Sequence, residues 1–75
     1  MTKILSVRPD AVVSALGRAG YSVDHQTGSH VILYKEGRLP ISVPRHNRDL
    51  KKGTLHQILR SAGIGPEEFV KLLKG

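Results

Sequence analysis

The sequence predicts an α+β fold in the order α-β-β-β-α-α, with one three-stranded antiparallel sheet packed by helices on one face. Three observations carry this expectation. Apolar residues recur at helical spacing after Pro9 and again after Thr54. Between those stretches, residues 21–43 form three short runs joined by turns too brief for a parallel crossover. With 75 residues the chain has room for about two layers around one small core, so residues 1–75 are expected to form a single domain.

The first helix opens at Pro9, which suits the first helical position, and Asp10 complements the positive helix end. Val12, Val13, Leu16 and Ala19 make its apolar stripe, and Gly20 stops it. Arg8 is a poor N-cap; Ser6 is the alternative for a slightly longer start.

Residues 21–26 alternate, with Tyr21, Val23 and His25 expected on one face and Ser22, Asp24 and Gln26 on the other. On that phase His25 is structural or partly buried. Thr27-Gly28-Ser29 reads as a turn, and His30–Glu36 as the second strand. If Val31 and Leu33 face the helices, then His30, Ile32 and Tyr34 face outward. The opposite phase would bury an imidazole in an aliphatic core, which is costly without a partner. Gly37 turns the chain into a third strand over residues 38–43, where Pro40 marks an edge or a bulge.

Residues 44–53 form a polar connection. Thr54-Leu55-His56-Gln57 then has the spacing of a capping box, with Thr54 as N-cap. Leu55, Ile58, Leu59 and Ala62 supply the stripe, Gly63 the stop, and Ile64 the apolar contact after it. Pro66 opens a last short helix with Glu67 and Glu68 in its first turn and Phe69, Leu72 and Leu73 on its apolar face.

Composition excludes several functions. Without cysteine there is no disulfide, no thiolate zinc site and no cysteine nucleophile. The first residues lack the apolar core of a signal peptide, and no run approaches the ~20 apolar residues of a membrane span. A soluble cytoplasmic protein with no membrane partner is expected, and a chain this short has little to wall a cofactor cavity, so no cofactor is expected either. No histidine pair has the close helical spacing of a zinc site; His25 and His30 could approach across the hairpin with Asp24 nearby, yet no metal is expected.

Charge points to a polyanion. The formal net charge is +6, and residues 35–52 hold six Lys and Arg against two acidic residues. Such a concentration suits RNA or DNA; a solvated face or an acidic protein partner would account for it as well. Within it, Lys51-Lys52-Gly53 precedes a helix, where lysines, free amides and the positive helix end can hold a phosphate. Arg45, His46 and Arg48 are further candidate contacts.

His30 is the candidate catalytic group. An imidazole exchanges protons near neutral pH. Beside a basic surface the sensible reaction is RNA cleavage, in which a base takes the ribose 2′-hydroxyl proton, that oxygen attacks phosphorus, and an acid protonates the leaving 5′-oxygen. Gly28 and Ser29 would let a phosphate approach closely and offer it backbone N–H groups. The residues alone favour an exposed strand histidine with no chemistry over a catalytic one.

Taken together, Ala19-Gly20-Tyr21, Gly28-Ser29-His30, Val43-Pro44-Arg45-His46, Leu50-Lys51-Lys52-Gly53-Thr54-Leu55, Ile58-Leu59-Arg60-Ser61-Ala62-Gly63-Ile64 and Glu68-Phe69 resemble HicA, the toxin family of HicA–HicB toxin–antitoxin systems, also called YcfA-like mRNA interferases. The resemblance spans nearly the whole chain. It implies a fold like that of the double-stranded-RNA-binding domain and a metal-independent mRNA endoribonuclease that arrests translation and growth. It implies a single catalytic histidine, His30, which leaves water, a lysine or another histidine as the second proton-transfer partner, and a HicB-like antitoxin that covers His30. Pro44 and His46 match the family's Pro-x-His segment. Where many members place a second histidine or an aromatic residue after Gly-Ser-His, this chain has Val31 and Leu33, and Tyr34 is the nearest replacement. The competing readings are a non-catalytic RNA-binding module of similar fold and a protein-interaction module.

Overall fold

The computed structural model describes residues 7–45 and 49–75. His46 and Arg48, two of the expected RNA contacts, lie outside the described residues, as does the alternative cap Ser6. The elements are α1 (Pro9–Arg18), β1 (Ser22–Thr27), β2 (His30–Tyr34), β3 (Ile41–Pro44), α2 (Lys52–Ala62) and α3 (Pro66–Lys74). The sheet order is β1-β2-β3, antiparallel throughout. The expected α+β order is therefore the observed one, and its first five elements follow the α-β-β-β-α order implied by the resemblance.

The two longer helices end in the same way. Gly20 takes φ 102° after α1, and the Tyr21 amide donates back to the Leu16 carbonyl at 3.0 Å. Gly63 takes φ 70° after α2, and the Ile64 amide donates to the Leu59 carbonyl at 3.0 Å. Both closures satisfy carbonyls that the helix leaves open, and both need a residue at positive φ, which glycine adopts without a Cβ clash.

The N-terminus of α2 departs from expectation. The helix begins at Lys52 with Lys51 as N-cap, and among the described residues no side chain caps it. Thr54 is therefore already inside the first turn and cannot act as the cap. The Leu55 amide donates to the Lys51 carbonyl at 2.9 Å, so the backbone starts the helix two residues before the threonine. β3 is likewise shorter than expected and starts at Ile41, because Gly37 (φ 83°) and Pro40 hold residues 35–40 in a loop.

The core lies between the helices and one sheet face. Val31, Leu33, Ile41 and Val43 point inward and meet Val12, Leu16, Leu55, Leu59 and Phe69, all buried. Phe69 is fully buried and is the largest side chain at the centre, so α3 closes the core. Among the described residues nothing packs over the other sheet face, and His30, Tyr34 and Ser42 are exposed on it with Ile32 half-buried. The inward choice of Val31 and Leu33 is thus the one adopted.

β1 follows a different phase from the one expected. Val23 pairs with Leu33, but His25 pairs with Ile32, so a bulge inserts Asp24 between them. Val23 keeps the inward phase at the sheet edge, 54% exposed. The extra residue turns His25 onto the open face beside Ile32, and it is exposed rather than partly buried.

Candidate active site

His30 is set by the hairpin that precedes it. β1 and β2 are joined by the two residues Gly28 and Ser29, with Thr27 opposite His30. Gly28 has φ 49°, the glycine-first pattern of a tight hairpin turn. The Arg45 amide donates to the Ser29 carbonyl, so the segment after β3 is tied to this turn. His30 also pairs with Pro44 of β3. The imidazole therefore stands on the open face, held by strands on both sides.

A shallow groove of about 280 Å³ runs beside it. His30, Ser42 and Pro44 form the sheet side, and Thr54, Gln57 and Ser61 of α2 form the other. Its polar groups are neutral hydroxyls and an amide, able to donate and accept hydrogen bonds without bringing charge. A larger opening of about 510 Å³ lies between α2 and the start of α3, lined by His56, Gln57 and Arg60. His30 does not border it, and nothing in it positions an acid or base against the hairpin.

The basic candidates divide. Lys51 and Lys52 are exposed at the N-terminus of α2, the helix that walls the His30 groove. Lysines there add to the positive end of the helix macrodipole. Arg45 goes elsewhere. It follows Pro44, which shares the face of His30, so its side chain takes the opposite side of the sheet. Its Nη1 donates to Gln26 Oε1 at 3.3 Å, and its Nε lies 3.4 Å from Asp10 Oδ1. The guanidinium thus borders a cleft under α1 with Val13, Ser14 and Val31, away from the imidazole of His30.

The open face also carries His25, which the strand's alternation predicted to be structural or partly buried. His25 Nδ1 lies 2.7 Å from Asp24 Oδ2, with both side chains more than half exposed. In a regular strand neighbouring side chains point to opposite faces; the bulge is what lets these two meet. The signal in the sequence was slight: apolar alternation ends at Val23, and an aspartate, poorly suited to a strand, follows.

The family described as HicA toxin of bacterial toxin-antitoxin matches residues 10–64, from the first turn of α1 to just past α2. No curated protein matches the chain.

Proposed function

The chain belongs to the HicA toxin family of bacterial toxin–antitoxin systems, and from that membership we propose that it is a metal-independent mRNA endoribonuclease with His30 as a catalytic acid or base. As a toxin of such a system it has a cognate antitoxin as its partner. The observation that carries the reading is His30 itself: an exposed imidazole on the open sheet face, next to a glycine turn and a polar groove. An RNA strand crossing this face meets a proton-exchanging group where solvent and substrate both have access.

Lys51 and Lys52 are the phosphate contacts on this reading, supported by their place at the start of α2. Gly28 and Ser29 let the strand approach His30 closely. Arg48 and His46 are proposed as further contacts on their sequence positions alone. Arg45 is a weaker candidate, since its guanidinium is engaged on the helical side by Gln26 and Asp10. Cleavage of mRNA inhibits translation and growth. A HicB-type antitoxin neutralises the toxin by covering His30 and the lysines at the start of α2 with an acidic face.

The test compares wild type with His30→Ala, matched for folding by circular dichroism, on mRNA in the presence of EDTA. Cleavage by wild type alone is the expected result. Equal cleavage by both removes His30 from the chemistry; binding by both without cleavage leaves an RNA-binding module.

A further inference from the structure

Cleavage by transesterification exchanges two protons, and His30 accounts for one of them. We infer that His25, held by Asp24, is the second proton-transfer group, an assignment that rests on the ribonuclease reading above.

Placement is the first argument. His25 is opposite Ile32 and His30 is opposite Thr27, so the two histidines are diagonal neighbours on the same open face. Diagonal neighbours across an antiparallel pair lie about 7–8 Å apart. An in-line displacement needs its base and its acid on opposite sides of phosphorus, each within a hydrogen bond of about 2.6–3.2 Å of its oxygen. Two imidazoles at the diagonal spacing can bracket one phosphate in that way.

Chemistry is the second. Asp24 Oδ2 accepts from the His25 Nδ1–H at 2.7 Å. With that proton held, the neutral ring presents Nε2 as its acceptor, the arrangement that makes a histidine a general base. Asp24 is then a positioning residue, since it acts through His25. In the step, Nε2 of His25 takes the 2′-hydroxyl proton as the 2′-oxygen bonds to phosphorus. The bond from phosphorus to O5′ breaks, and His30 gives its proton to O5′. The products are a 2′,3′-cyclic phosphate and a 5′-hydroxyl end, and both imidazoles return to their starting states by exchange with water.

The bulge is the third. A regular β1 would have sent His25 to the helical side and separated it from Asp24 and from His30 alike. The irregularity assembles all three on one surface.

The experiment is a pH–rate series for cleavage of one transcribed mRNA by the full chain and its variants. The other titratable groups on this face, among the described residues, are Asp24, His30 and Tyr34; β3 and the groove side of α2 contribute Ser42, Thr54, Gln57 and Ser61. Wild type should give a bell-shaped profile, because the base must be neutral and the acid protonated. His25→Ala should lose at least about 100-fold in rate, lose the acidic limb of the bell, and regain part of the rate with added imidazole, with its thermal midpoint unchanged. Asp24→Glu should recover most of what Asp24→Asn loses. A His25→Ala rate within about threefold of wild type overturns the inference and leaves the ribonuclease reading standing, since the usual contribution is far larger. A loss that keeps the acidic limb and ignores imidazole also overturns it. So does His46→Ala if that variant, instead, abolishes the limb. No cleavage by wild type overturns the ribonuclease reading, and this inference with it.

Discussion

The Lys35 ammonium donates to the Ala19 carbonyl at 2.9 Å and stands 5.7 Å from the centre of the Tyr21 ring. The residue after β2 thereby clamps the end of α1. It places a cation at the negative helix terminus and over the aromatic face of the residue that follows the helix stop. Gly20 makes room for it, for a Cβ there would lie 3.2 Å from Lys35 Cε. Lys35→Met keeps the stem but removes the donor and the charge. It should cost about 1 kcal/mol, read as a lower urea midpoint with an unchanged m-value.

Two glycines should respond to alanine with opposite signs. Gly17 lies within α1 with open space around its Cα, so Gly17→Ala should stabilise by about 0.5–1 kcal/mol through helix propensity. Gly63 sits at φ 70°, and a Cβ there would collide with the Arg38 guanidinium. Gly63→Ala should destabilise by about 1–2 kcal/mol from the left-handed backbone alone. Adding Arg38→Ala should relieve only the steric part. Thermal melts of the three variants check both signs.

Phe69 anchors α3, which extends past the family match that ends at Ile64. Phe69→Ala should cost about 3–5 kcal/mol. A chain of this length has a total stability on the order of 4–11 kcal/mol, so the variant should lose a large share of it and melt well below wild type. Hydrogen exchange across α1 should rise together with that of α3, because the two helices pack on each other and the Arg18 Nη1 donates to the Leu72 carbonyl at 2.7 Å. Retained protection in α1 would contradict a shared core.

Replacing Lys51 and Lys52 together with alanine should weaken RNA binding and reduce the slope of log K against log salt by about 1–2. Arg45→Ala should change that slope less, because its guanidinium is turned to Asp10 and Gln26. Fluorescence anisotropy with a single-stranded RNA at several salt concentrations separates the two. Equal slopes for the double variant and wild type would remove the lysines from the phosphate path.

By itself the sequence determined the element order, the helix stops at Gly20 and Gly63, the inward strand residues Val31 and Leu33, and the family. These follow from periodicity and from glycine's freedom at positive φ, both local properties of the chain. Tertiary structure decided where side chains of mixed character ended up. Thr54 had the spacing of a cap, yet the backbone began α2 at Lys52. Arg45 read as one more phosphate contact, yet the strand's alternation sent it to the helical side. His25 read as partly buried, yet one inserted residue, Asp24, carried it to the open face beside His30. A strand's phase is local only while its pairing is regular. A bulge depends on the partner strand, and so the side of the sheet on which His25 works was settled by β2 rather than by its own neighbours in sequence.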